Sequence, residues 1–165
     1  MSPWFQLSDP CDGIHERFLA ALREHVRDWP PSVAPRSSGA FLIDGLLTTY
    51  VDVPDPDEGT VVASLRVDFD GSGVYANRVA SEHIDVGTVA GLGAVGTPES
   101  CASEAARWYL EQLGRPVERH EWFEGGERVH VRWRFAGESG WLAWADRSNE
   151  PRPRLGAADR VVDLH

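Results

Sequence analysis

The chain has 165 residues, 42% of them hydrophobic and 25% charged, with a net charge of −10; that length suits one domain, and the composition lies outside the disordered class. So negative a balance argues against nucleic-acid binding, because phosphate neutralisation needs clustered cations. No apolar run reaches the roughly 18 residues of a membrane helix, and Met1-Ser2-Pro3-Trp4-Phe5 has no basic stretch leading an apolar one, so a cytoplasmic protein with no membrane association is expected.

In chain order, Asp9-Pro10 reads as the N-cap and first residue of a helix, with Asp12 in its first turn. Ile14, Phe18, Leu22, His25/Val26 and Trp29 recur at spacings of three and four, forming a stripe that Pro30-Pro31 ends. A Pro/Ser connector over 30–38 leads to strands expected at 40–53, 60–69 and 73–79. The second alternates cleanly, with Leu65, Val67 and Phe69 on one side and Arg66, Asp68 and Asp70 on the other, so one face is wet. Thr97-Pro98-Glu99 announces a second helix with Ala102, Ala105/Ala106, Tyr109, Leu110 and Leu113 on one face and a stop at Gly114. Strands then follow at about 116–123, 127–136 and 140–145, and residues 146–165 read as a loop or loose tail. The expected fold is α+β, mostly antiparallel, in the order α-β-β-β-α-β-β-β within one domain spanning 1–165. That order allows an αβββ unit used twice.

Several motifs invite chemistry and fall short of it. Gly91-Leu92-Gly93-Ala94-Val95-Gly96 is a literal G-x-G-x-x-G after a possible strand at 84–90, with Glu118 22 residues beyond its last glycine. However, Thr97-Pro98 restarts the helix after the third glycine, and the following strand enters a tight Gly125-Gly126 turn instead of a second crossover, so a loop is expected. Asp68-Phe69-Asp70-Gly71-Ser72-Gly73 resembles the opening of a calcium loop, but Val79 stands where the bidentate glutamate belongs, and a β-turn accounts for it. Cys11 and Cys101 have no metal-ligand spacing and are read as reduced. With no G-x-S-x-G, H-E-x-x-H, P-loop or C-x-x-C, the reading leans away from an enzyme and implies neither cofactor nor metal.

Two groups of residues are candidate sites. His120 and His130 lie on neighbouring strands, and the turn decides whether they meet. A two-residue Gly125-Gly126 turn puts them on opposite faces, whereas a three-residue Glu124-Gly125-Gly126 loop sets His120 across from His130, Glu118 across from Arg132 and Trp122 across from Arg128. In the second register Glu118, His120, Trp122 and His130 line a polar, aromatic face suited to a small-molecule ligand. Trp141 and Trp144 are an odd number of positions apart on one strand, so one of them is a candidate outward-facing anchor.

The other group is acidic. Residues 1–97 carry 14 acids and 6 arginines, and residues 98–165 carry 12 and 10. Asp44, Asp52, Asp55, Asp57, Glu58, Asp68, Asp70, Glu82 and Asp85 face only Arg66 and Arg78 between 39 and 85, a patch able to steer a basic partner over long range.

All sixteen basic residues are arginine, as a GC-rich bacterial coding sequence of actinobacterial type would produce. Leu65-Arg66-Val67-Asp68-Phe69-Asp70 with Gly73 and Tyr75, and Gly114-Arg115-Pro116-Val117-Glu118-Arg119-His120-Glu121-Trp122, resemble segments of small actinobacterial proteins. Some of those are labelled immunity proteins of polymorphic toxins. The resemblance implies a non-enzymatic inhibitor that binds one toxin, and it carries over no catalytic residue. The leading expectation is therefore a protein-binding module, of immunity or antitoxin type, that turns the acidic 44–70 face (Asp44, Asp52, Asp55, Asp57, Glu58, Asp68, Asp70) to a basic protein partner. The alternative is a small-molecule-binding protein or enzyme whose pocket lies between the sheet and the helices, lined by Glu118, His120, Trp122 and His130.

Overall fold

The computed structural model describes residues 4–7, 10–29, 37–80, 93–146 and 156–164. The connector at 30–36, the possible strand at 84–90, Gly91-Leu92, Glu82, Asp85 and residues 147–155 lie outside the described residues, as does the Trp144 side chain. Two glycine-containing turns set the strand pairing. At Asp44-Gly45 both residues have positive φ (51° and 80°), as they do at Gly125-Gly126 (61° and 87°), which is the backbone of a two-residue hairpin turn matched to the twist of its strands. Consequently the stretch expected as one strand over 40–53 folds back on itself as β1 (Ser38–Ile43) and β2 (Leu46–Pro54), with Ile43 opposite Leu46.

The elements run α1 (Gly13–Val26), β1, β2, β3 (Val61–Phe69), β4 (Gly73–Ala80), β5 (Gly93–Val95), α2 (Pro98–Leu113), β6 (Val117–Glu124), β7 (Glu127–Phe135), β8 (Ala143–Asp146) and β9 (Arg160–Leu164). The fold is α+β with antiparallel strand pairing, and each helix is followed by its own sheet, as expected. Sheet A has five strands in the order β1-β2-β3-β4-β5; sheet B has four in the order β8-β7-β6-β9. Within the stretch read as a loose tail, residues 160–164 instead pair antiparallel with β6, and Leu164 is buried. The short apolar-polar alternation of Arg160-Val161-Val162-Asp163-Leu164 suits a half-buried strand.

Helix α1 begins later than Asp9-Pro10 suggests. Asp12 is the N-cap, its Oδ1 accepting from the N–H groups of Ile14 and His15, so open donors at the helix start are satisfied by a carboxylate at the positive end of the dipole. Its buried face is His15, Phe18, Leu19, Leu22 and Val26, while Ile14 is exposed on the flank near Gly71. Helix α2 follows the sequence more closely: Thr97 is the N-cap, Pro98 the first residue and Gly114 the C-cap. It buries Cys101, Ala102, Ala105, Ala106, Trp108 and Tyr109 and leaves Leu110 exposed.

The helices pack side by side, and their apolar faces share one core with the inner faces of both sheets. Phe18 stacks on Phe69 with centroids 4.4 Å apart, and Phe5 lies 5.7 Å from Tyr109. The Tyr109 hydroxyl, completely buried, donates to the Thr49 carbonyl at 2.8 Å, and Thr49 Oγ1 donates to the Val67 carbonyl at 3.3 Å. This buried chain of bonds fixes α2 against β2 and β3, since a polar group taken from water must find a partner. We expect Tyr109→Phe to lower stability by about 1–2 kcal/mol, through loss of a buried bond without creation of a cavity; urea denaturation should show a lower midpoint at unchanged slope.

Candidate functional site

The loop joining β2 to β3 is Asp55-Pro56-Asp57-Glu58-Gly59-Thr60. Asp55 Oδ1 accepts from the N–H groups of Asp57 (2.9 Å) and Glu58 (3.2 Å), closing a side-chain-capped turn, and Gly59 takes the positive φ (69°) needed to finish it. Its other oxygen reaches across to sheet B. Asp55 Oδ2 accepts from Trp133 Nε1 at 2.7 Å and Arg119 Nη1 at 2.8 Å, and Asp55 is 0% exposed. Arg119, itself 5% exposed, also donates through Nε to Glu121 Oε1 at 3.1 Å, and its Nη1 is 3.2 Å from Asp57 Oδ2. Arg128 bridges Glu58 and Glu121, with Nη1 2.9 Å from Glu121 Oε1.

This arrangement corrects part of the acidic-face expectation. Asp55 is withdrawn from solvent and cannot present its charge to a partner, and Glu58 is engaged by Arg128. The signal missed in the sequence is the match between the acids at 55–58 and the arginines at 119 and 128. Burial pushes the Asp55 carboxyl up, but hydrogen bonds from Arg119, Trp133 and the Asp57 N–H outweigh it and hold the group below the usual aspartate range.

The remaining acids of the expected face divide by location. Asp52 accepts from Ser64 Oγ at 2.6 Å, and Asp68 accepts from Arg66 Nε at 2.8 Å and Thr48 Oγ1 at 2.6 Å, all on the outer face of sheet A. Asp44 is exposed in the β1–β2 turn. Asp70 Oδ1 accepts from the Ser72 and Gly73 N–H groups and the Ser72 hydroxyl, which keeps its carboxyl below the ordinary range and makes the calcium-like stretch a capped turn. Asp57 is exposed at the opposite end, beside Arg119.

The second group does share a face, by a route neither expected register contains. The turn is the two-residue Gly125-Gly126 form, with Glu124 opposite Glu127, but the register shifts by one between Trp122 and Phe123, leaving Val129 as the extra residue of a β-bulge. Beyond the bulge Trp122 is opposite His130, His120 opposite Arg132 and Glu118 opposite Arg134. Glu118, His120, Trp122, His130, Arg132 and Arg134 therefore lie together on the outer face of sheet B and not between the sheet and the helices as expected, because Val117, Val131, Trp133 and Phe135 take the inward positions. Trp122 Nε1 donates to the Gly156 carbonyl at 3.1 Å, and its ring is 5.2 Å from that of His130. His120 meets the edge of Trp141 at 5.1 Å. Glu118 Oε2 is 2.9 Å from His120 Nε2 and accepts from Arg134 Nε at 2.8 Å. These two bonds, His120 first, keep the Glu118 carboxyl below its ordinary range. Trp141 faces outward, 37% exposed.

Of the glycine motif, Gly93–Val95 forms edge strand β5, paired antiparallel with β4, and Thr97 caps α2 beyond Gly96. Among the described residues no three His, Cys, Asp or Glu side chains are arranged to hold a metal ion, and no helix is long and apolar enough to cross a membrane. The chain matches no protein-family model, no curated protein and no solved structure.

Two outcomes follow. Asp55→Asn should cost about 2–4 kcal/mol at neutral pH, because the buried carboxylate shared by Arg119 and Trp133 is lost while Arg119 keeps Glu121 and Asp57. Since the folded pKa of Asp55 is depressed, its contribution is complete above the unfolded value of about 4 and disappears as pH falls through the folded one. Stability measured against pH should thus fall more gently on acidification in the variant than in the wild type. Separately, His120→Phe should move the Glu118 titration midpoint upward, read from its side-chain carboxyl carbon by NMR.

Proposed function

We propose that this chain is a cytoplasmic protein-binding module of the immunity or antitoxin kind, which receives a basic protein partner on the outer face of sheet A. The observation that carries this reading is the composition of that face. One cross-strand row runs Phe41, Thr48, Asp68, Tyr75, and Tyr50 and Arg66 stand opposite each other in the next. Tyr75 is 51% exposed and Ile43 60% exposed at the end of β1, with Phe41 exposed beside them. Exposed aromatic and aliphatic side chains with an arginine are what interface cores concentrate.

Asp44, Asp52 and Asp68 flank these anchors and Asp70 stands in the adjoining β3–β4 turn, with Arg66 the one guanidinium of that face among the described side chains. Such a rim steers a cationic partner and discriminates against an anionic one. The stretch 65–75, which resembles segments of small actinobacterial proteins, some of them labelled immunity proteins, lies in the two strands β3 and β4 of this sheet. Asp55, Asp57 and Glu58 are not part of it; they serve the contact with sheet B.

A second reading is favoured by the bulge at Val129, which brings two imidazoles and two indoles side by side on sheet B. In that reading the outer face of sheet B holds a small molecule.

The first reading is tested by affinity capture from the native host lysate at low and then moderate salt, comparing wild type with a Tyr75→Ala, Asp44→Arg, Asp52→Asn variant. We expect one basic protein to be retained by the wild type at low salt, shed as salt rises and lost by the variant. Equal capture by both would remove the sheet A face from the proposal.

A further inference from the structure

Among the described residues the arginine side chains are almost all spent on oxygen acceptors. Arg17 pairs with Glu99, Arg27 with Glu24, Arg66 with Asp68, Arg107 with Glu104 and Glu111, Arg115 with Glu138, and Arg134 with Glu118. Arg23 donates to the carbonyls of Trp4 and Phe5. Arg119, Arg128 and Arg160 converge on Glu121. Among the arginine side chains described, Arg132 is the exception. Its Nε donates to His130 Nε2 at 2.8 Å, and neither of its Nη groups has an oxygen partner among the described residues.

This guanidinium is also half-buried and held in place. Accepting through Nε2 requires a neutral His130 protonated at Nδ1, and His130 is itself buried, so the stem of Arg132 is fixed from one side. From the other side the Arg132 guanidinium carbon stands 5.3 Å from the centre of the Trp141 ring, and that of Arg134 5.5 Å. Burial lowers the Arg132 pKa from its ordinary value. A planar fork of donors thus faces outward between His120, Trp122 and an exposed Trp141. Its neighbour Arg134 gives its own charge to Glu118, which leaves the Arg132 fork as the unshared donor group of the pair.

We infer that Arg132 makes the outer face of sheet B a receptor for an organic anion, a carboxylate or phosphate ester carrying an aromatic or apolar body. The two Nη groups donate to the anion as a fork, a geometry that matches carboxylate and phosphate oxygens alike. The exposed indole of Trp141 takes the body of the ligand, as amphipathic rings do where one end of a partner is apolar and the other charged. The inference rests on the small-molecule reading of this face and adds the chemical class. It also assigns the central role to a residue outside Glu118, His120, Trp122 and His130; those four position Arg132 and shape the wall.

The test uses benzoate and phenyl phosphate as anionic probes and benzyl alcohol as the neutral one, titrated into the full chain. Indole N–H resonances of Trp122 and Trp141 serve as the readout, assigned through Trp141→Phe. We expect both anions to shift these resonances, and Arg132→Gln to weaken anion binding about tenfold or more, the loss of a charge-assisted fork, with benzyl alcohol unaffected. Arg132→Lys keeps the stem and charge without the fork, and should weaken binding by a smaller factor; it serves if the glutamine variant unfolds by circular dichroism. Anion binding unchanged in both variants would overturn the role of Arg132 while leaving the small-molecule reading standing. Absence of any shift with all three probes would overturn both.

Discussion

The contact between Asp55 and Arg119 is the constraint on which the two-sheet arrangement depends. Sheet A and sheet B are separately hydrogen-bonded, and a polar loop from one enters the core to meet the other. A buried ion pair of this kind adds little net stability over a well-packed apolar pair, because desolvation of both charges offsets their attraction. Its effect is on specificity: Asp55 also holds Trp133 Nε1, so a docking shifted along either strand would strand a carboxylate, a guanidinium and an indole N–H together in the core.

The same contact resolves the uneven charge of the chain. Its acidic first part and more balanced second part are not two surfaces of different sign, because acids of the β2–β3 loop serve as counter-ions for arginines of β6 and β7. The acids of the first part that remain exposed on sheet A include Asp44 in the β1–β2 turn and Asp70 in the β3–β4 turn. The outer face of sheet B is aromatic and of mixed charge, with two guanidinium groups beside one indole. The molecule therefore offers two chemically distinct surfaces on opposite sheets.

The parts legible in the sequence are those set by near neighbours. Thr97-Pro98 and Gly114 delimit α2 because capping is decided within one turn of the chain, and the alternation of β3 gives its wet face directly. Asp44-Gly45 is a local signal of the same quality, hidden by the apolar residues flanking it, which read as one long strand. The face containing His120 and His130 depends on a single extra residue, Val129, whose accommodation as a bulge is decided by packing on both sides of the sheet. Asp55 illustrates the other limit: its turn-capping role follows from Asp-Pro-Asp-Glu-Gly, whereas its partners are 64 and 78 residues away. Strand β9 is obscured for a related reason, since its pairing with β6 crosses about forty intervening positions.

Those separations have a kinetic meaning. Sheet A from β1 to β4 is a meander whose strands meet through short turns, so it closes loops of small entropy cost and can form early. The ion pair to Arg119 and the bond to Trp133 require two preformed sheets to be in register first, which places them late on the folding route. Interactions made after the rate-limiting step hold the native state without hastening its formation. The β2–β3 loop thus acts as a latch: it governs how long the assembled protein lasts before its sheets part, and has little influence on how quickly they come together.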